Sequence, residues 1–181
     1  IGIDKNDLIV ATQNLLNYIK NVREDLDFTA LINGEEVEFF SINDKLHMID
    51  VKNIFQAIIV AKNIGLLLLM FIFFIIHFNN NVKIDVGKCL IISSVWGTFP
   101  FLMLMFLMYV DFNKYFTIFH KIFFRNDLWL LDPKTDRLVN IFSEEFFSNM
   151  AIKILSFYFI ALAIILAIGI IILLKKQKKH I

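Results

Sequence analysis

Apolar residues along this chain gather into three long runs, and the polar stretches between them carry shorter, regular patterns. The runs cover about Ile54–Phe78, Cys89–Val110 and Met150–Leu174. Each is near the roughly 20 residues a helix needs to cross a bilayer. Gln56, Lys62 and Asn63 interrupt the first run, and Lys62 is costly in hydrocarbon unless it snorkels or faces a wet cavity. Pro100 falls inside the second and predicts a kink. Ser93, Ser94 and Thr98 there face a neighbouring helix or their own backbone carbonyls, and helix packing is the reading taken.

Ahead of the first run, Leu8, Ala11, Leu15, Ile19 and Val22 recur at helical spacing. They predict an amphipathic helix over Asn6–Arg23 capped by Asn6, with Asp7 in its first turn. A surface helix packed on a neighbour or lying on lipid is the simplest role for it. Phe28–Phe40 reads as a β-hairpin, because Asn33-Gly34 separates TALI from VEFF. Residues 1–53 are too few to bury much core alone, so this unit leans on the second polar segment or on the membrane surface. Ser41 or Asn43 caps a helix with Leu46, His47, Asp50, Val51 and Ile54 on one face, continuing into the first run. Ser143 caps another, with Glu144 and Glu145 in its first turn, continuing into the third.

The fold class that follows is an all-α membrane protein, a bundle of three transmembrane helices with a small α+β extracytoplasmic cap. Residues 1–53 form the first cap segment, 54–78 a span, 79–88 a cytoplasmic link and 89–110 a second span. Residues 111–149 form the second cap segment, 150–174 the last span and 175–181 a basic tail. Lys83, Lys88, Lys175, Lys176, Lys178 and Lys179 put six basic residues into the 17 of link and tail, against ten in the 91 of 1–53 and 111–148. By the positive-inside rule the link and tail are cytoplasmic. His47 and His120 then lie outside, and His77 and His180 lie inside as bystanders. An exported residue 1–53 segment, and a chain that opens Ile-Gly-Ile without a signal peptide, lead to the expectation of a fragment whose intact form has a fourth, preceding transmembrane helix.

Composition narrows the chemistry. Hydrophobic residues reach 58%, with 21 Phe against two Pro, and the mean hydropathy is +0.68, above the level of a soluble domain. A net charge of +1 offers no field for nucleic acid. The one cysteine, Cys89, excludes an intrachain disulfide or a CxxC site and reads as packing. GxSxG and Gly-rich phosphate loops are both absent.

The densest chemistry lies in FHKIFFRNDLWLLDPKTDRLVNIFSEEFF, Phe119–Phe147, and in HMIDVK, His47–Lys52. On a helix, His120, Phe123, Phe124 and Asp127 share a face, as do His47 and Asp50. Imidazoles with nearby carboxylates suit general acid–base work, since a carboxylate can fix the ring's tautomer. Interfacial hydrogen bonding by the same histidines is the bland alternative. A divalent metal held by two His and two Asp is the sharp one, although no HExxH or similar local pair supports it.

Both segments resemble the bacterial lipoprotein intramolecular transacylase family, and the resemblance covers essentially the whole chain. The Phe-His-x-x-Phe-Phe-x-Asn-Asp-x-Trp run is the specific part; HMxDVK is shorter but stands at the expected place. Ser143 stands where the family has proline before EEFF, which alters only a helix start. The resemblance implies four transmembrane helices under an extracellular cap in the bacterial plasma membrane. It implies transfer of the sn-2 acyl chain of a diacylglyceryl-cysteine lipoprotein to that cysteine's α-amino group, giving a lyso-form lipoprotein. His47 and His120 correspond to the catalytic histidines, with His120 favoured as base. Phe119, Phe123, Phe124 and Trp129 would hold acyl chains and exclude water, or form an interfacial belt. Asp50 and Asp127 would orient groups, Asn126 would donate a hydrogen bond, and Lys52 and Arg137 would tie cap to membrane. No cofactor or metal is implied; the partners are the lipoprotein substrate and membrane lipid. The alternatives are a metal-dependent membrane hydrolase and a non-enzymatic partner of exported proteins.

Overall fold

The computed structural model describes residues 3–79 and 84–178; Lys83, Lys179 and His180 lie outside them. Its elements are α1 (Lys5–Ile19), β1 (Thr29–Ile32), β2 (Glu35–Glu38), α2 (Ile42–Phe78), α3 (Val86–Val110), α4 (Phe112–Phe123), α5 (Leu138–Ile141) and α6 (Glu144–Lys178). Three of these helices, α2, α3 and α6, are long and apolar enough to cross a membrane, so the chain is a mostly helical membrane protein. The chain divides into two compact units. One holds residues through Ile72 together with Phe119–Ser143; the other holds Phe73–Ile118 and the chain from Glu144.

The first unit is built on the hairpin and the start of α2. Asn33 and Gly34 both take positive φ, 55° and 89°, which matches the twist of the antiparallel pair β1–β2. The amphipathic helix begins earlier and ends earlier than its sequence pattern predicts. Asp4, not Asn6, is its N-cap, accepting from the Asn6 N–H, and it stops at Ile19, leaving Val22 exposed. Its buried face is Ala11, Leu15 and Tyr18. These pack with Leu26, Ala30, Phe39, Phe40, Met48 and Leu138 in one core. Burying a side chain the size of Phe39 or Phe40 contributes roughly 1.5–3 kcal/mol. The end of α1 is fixed to α2 by Gln56 Nε2, which donates to the Ile19 carbonyl at 2.7 Å.

Two fully buried carboxylates join the early and late segments of this unit. Ser41 and Asp44 form a reciprocal cap at the start of α2: the Ser41 N–H donates to Asp44 Oδ2 at 3.0 Å, and the Asp44 N–H donates to Ser41 Oγ at 2.9 Å. Asp44 also accepts from the Arg137 N–H at 3.1 Å and the Leu138 N–H at 3.3 Å. The Ser41 hydroxyl donates onward to Asp136 Oδ1 at 2.7 Å, and Asp136 Oδ2 accepts from the Asp132 N–H at 2.8 Å. Arg137 completes the clasp, its Nη1 donating to the Glu38 and Phe39 carbonyls at 2.7 and 2.8 Å. Arg137 is therefore an internal tie of this unit, not the cap–membrane contact predicted from sequence.

In the second unit α3 packs along α6. The backbones come so close that a Cβ on Gly169 would sit 3.0 Å from the Gly87 carbonyl oxygen. Farther along, Tyr158 Oη donates to the Gly97 carbonyl at 2.9 Å, and Lys176 pairs with Asp85 at 2.8 Å. Helix α3 starts three residues before the predicted span and runs through Pro100. The polar residues of α3 bond their own backbone: Ser93 and Ser94 donate to the Leu90 carbonyl and Thr98 to that of Ser94. Ser94 is also buried, and Ser94 and Thr98 face Leu162 and Leu166 of α6 across a shared cavity, so these two bond their own carbonyls and pack toward the neighbouring helix as well. Cys89 is exposed and not packed.

Asp44→Ala leaves three N–H groups, one buried and two part-buried, without acceptors, so the chain should lose about 3 kcal/mol of unfolding free energy. Denaturation in detergent micelles checks this; a loss below about 1 kcal/mol would mean that the clasp does not hold the unit.

Candidate active site

Helix α2 is 37 residues long, more than a bilayer requires. Its apolar run begins at Ile54, and the turns before it carry Asp44, His47 and Asp50. His47 lies one turn beyond Asp44 on the inward face, so the clasp that fixes the start of α2 also fixes this imidazole. His120 lies in the last turn of α4, and its own carbonyl accepts the Phe124 N–H at 2.8 Å, a helical i+4 bond that holds Phe124 against the end of α4.

The two histidines, 73 positions apart, meet. Their ring centroids are 6.3 Å apart, and each ring is only 8% exposed. Phe124 lies against both, 5.1 Å from His47 and 5.4 Å from His120. Trp129 covers His120 at 5.0 Å, and Phe119 touches its edge at 5.5 Å. Phe123 packs on Phe119 at 4.7 Å, with both rings about half exposed. The imidazole pair therefore stands in an aromatic box, dry on the Phe124 side.

Nδ1 of His47 is buried and has no hydrogen-bond partner. Burial, helped by the nearby His120 and opposed by the charge of Asp50, brings the His47 imidazole down to about 4. The ring is uncharged at neutral pH, with one nitrogen unsatisfied among the described residues. A buried polar atom left in this state is a common sign of a place reserved for a ligand.

The other candidates are placed as follows. Asp50 and Asn126 meet each other: Asn126 Nδ2 donates to Asp50 Oδ2 at 2.8 Å, while Asn126 Oδ1 accepts the Leu128 N–H at 3.1 Å. Lys52 sits over the Tyr18 ring, 4.2 Å from its centroid, which ties α2 to α1. Asp127 lies past the end of α4 at Phe123 and is exposed, so it does not share the helical face with His120 that the sequence suggested. Asp44 and Asp136 were missed as parts of the site's support. The Ser-x-x-Asp spacing at Ser41 was the available signal for the first; Asp136 has no local signal, because its partner lies 95 residues away. Among the described residues no group of three or more His, Cys, Asp and Glu gathers as a metal cage would require.

The arrangement can hold one proton acceptor and one uncharged hydrogen-bonding imidazole against a shared substrate, which is acid–base chemistry without a protein nucleophile. The solved in meso structure of the membrane integral lipoprotein intramolecular transacylase Lit from Bacillus cereus has the same fold. It is 24% identical with a TM-score of 0.74, over 97% of this chain and 76% of that one. A histidine-to-alanine variant of the same Bacillus cereus protein matches at 26% identity and a TM-score of 0.64, over 97% and 74%. Comparison with curated proteins finds no match. The family model described as lipoprotein intramolecular transacylase Lit matches residues 1–147, a span that contains both histidines, the aromatic box and the clasp, and on that match the chain belongs to the lipoprotein intramolecular transacylase family.

Proposed function

We propose that this chain moves the sn-2 acyl chain of a diacylglyceryl-cysteine lipoprotein onto the cysteine's own α-amino group, with His47 and His120 as catalytic residues. The observation that carries the reading is the buried imidazole pair, one ring of which is uncharged with a buried Nδ1 that no group among the described residues bonds. The α-amino group, with a pKa near ~8, loses its ammonium proton to water through His120, and the neutral amine then gives a second proton to His120 as it attacks. The nitrogen adds to the ester carbonyl, a C–N bond forms, the glyceryl C–O bond breaks, and that second proton passes to the glyceryl oxygen. His47, kept neutral, donates from Nδ1 to the carbonyl oxygen as charge develops there. Two imidazoles this close do not both charge easily, so protonation of His120 reinforces the neutrality of His47.

Donor and acceptor belong to one molecule, so orientation supplies much of the rate, and no covalent enzyme intermediate is needed. Phe119, Phe123, Phe124 and Trp129 hold acyl chains and keep water from the ester. The proposed setting is the bacterial plasma membrane. Lys88, Lys175, Lys176 and Lys178 lie on the cytoplasmic side by the positive-inside rule. The segments with His47 and His120 lie outside as a cap, and a fourth helix completes the intact bundle.

Mass spectrometry of a lipoprotein's N-terminal peptide tests the reaction. Wild-type cells should convert a diacylglyceryl peptide into an N-acyl, monoacylglyceryl peptide of unchanged mass. His120→Ala and His47→Ala should each cut that product by about a hundredfold or more. Full product from either variant contradicts the assignment, and loss of an acyl chain from the peptide would indicate a hydrolase instead.

The neutral His47 also has a stability signature. Its ring titrates near 6.5 when unfolded and at about 4 when folded. Between those values the unfolded chain binds more protons, so stability falls as pH drops from about 6.5 to about 4, by on the order of 3 kcal/mol. Unfolding measured across that window should show the slope, and His47→Gln should flatten it.

A further inference from the structure

The carboxylates of the first unit are not alike. Asp44 and Asp136 are surrounded by N–H and O–H donors. Asp50, half-buried one turn beyond His47, is held on one oxygen only, by the Asn126 amide at 2.8 Å. Among the described residues no cationic side chain pairs with it; the ion pairs are Arg23–Asp25, Lys45–Asp27, Lys45–Glu38 and Lys176–Asp85. Lys52, two residues on, is committed to the face of Tyr18. A negative charge thus borders a dry imidazole pair, fixed in orientation by Asn126 and lacking a counter-ion.

The proposed substrate supplies one. At neutral pH the cysteine α-amino group enters mostly as ammonium, and a cation entering an aromatic, water-poor box needs a partner. Neither imidazole can serve, since one is to accept the proton and the other has to stay uncharged. We propose that Asp50 is the counter-ion that receives the substrate's α-ammonium group through its open oxygen and selects a free amino terminus. The assignment rests on the transacylase reading. From Asp50 the ammonium gives one proton to His120, which releases it to bulk water. The amine left behind attacks, and its second proton passes through His120 to the glyceryl oxygen as the C–N bond forms and the C–O bond breaks. The products are a neutral amide, an alcohol and one released proton. Loss of the positive charge ends the attraction to Asp50, which favours release of the N-acylated product over a substrate still carrying its amine.

Two unreactive competitors test this on the full chain in liposomes. Both are dialkylglyceryl-cysteine peptides with ether links in place of esters, one with a free α-amine and one α-N-acetylated. Wild-type protein should bind the free-amine peptide roughly tenfold more tightly, and Asp50→Asn should erase the difference. For the reacting diester peptide, Asp50→Asn should raise KM by roughly tenfold while kcat changes by less than about threefold, and Asp50→Glu should recover most of the loss. Equal binding of the two competitors by wild type overturns the proposal even if Asp50→Asn fails to fold. An unchanged KM in a folded Asp50→Asn protein that still makes product overturns it as well. If wild type makes no N-acylated product, the transacylase reading fails first and the inference falls with it.

Discussion

A carboxylate removed from water has to find donors, and Asp44 finds them both beside it and 93 residues away in the sequence. Its oxygens take the Ser41 N–H at the start of α2 and the Arg137 and Leu138 N–H groups at the start of α5. Through Ser41 the same network reaches Asp136. Burial raises the Asp44 carboxyl, against its three N–H partners and with the help of the neighbouring negative charge of Asp136. Burial pushes Asp136 up too, but donation from Ser41 and Asp132 outweighs it and holds that carboxyl low. The network is demanding, because each member left unsatisfied would cost more than it contributes when complete. In return it fixes the late segment onto the early one, and the two histidines ride on those two segments.

The chemistry depends on the same placement. His47 stands a turn from the clasp and His120 enters from the end of α4, so holding the segments together is what brings Phe124 between two imidazoles. Dryness then does the electrical work: a desolvated imidazole stays uncharged, and a second one beside it can take a proton without both becoming cations. In the proposed reaction that asymmetry divides the roles, with one ring as base and the other as hydrogen-bond donor to the developing oxyanion. In the same proposal Asp50 supplies the counter-charge for the substrate's ammonium group.

Much of this was legible from local pattern. Three apolar runs announced three long helices, and Asn33-Gly34 marked the hairpin because positive φ at two adjacent positions suits few other pairs. His47 and His120 stood out because each falls in a motif rich in acids and aromatics. Long-range geometry was not legible. Nothing near Arg137 says that its guanidinium would close on the carbonyls of Glu38 and Phe39. Extending a helical face from His120 to Asp127 failed because α4 ends at Phe123, and no proline or glycine between them marks the stop. Ser94 and Thr98 likewise offered two roles, and they fill both, bonding their own helix carbonyls while facing α6.

The central claim is that His47 is an uncharged donor beside His120, and 15N NMR of histidine-labelled protein in bilayers at pH 5.5 tests it most directly. Resonances assigned to His47 by their loss in His47→Gln should be those of a neutral imidazole with its proton on Nδ1. An imidazolium signal for His47 at that pH, or a neutral ring with its proton on Nε2, would contradict the account.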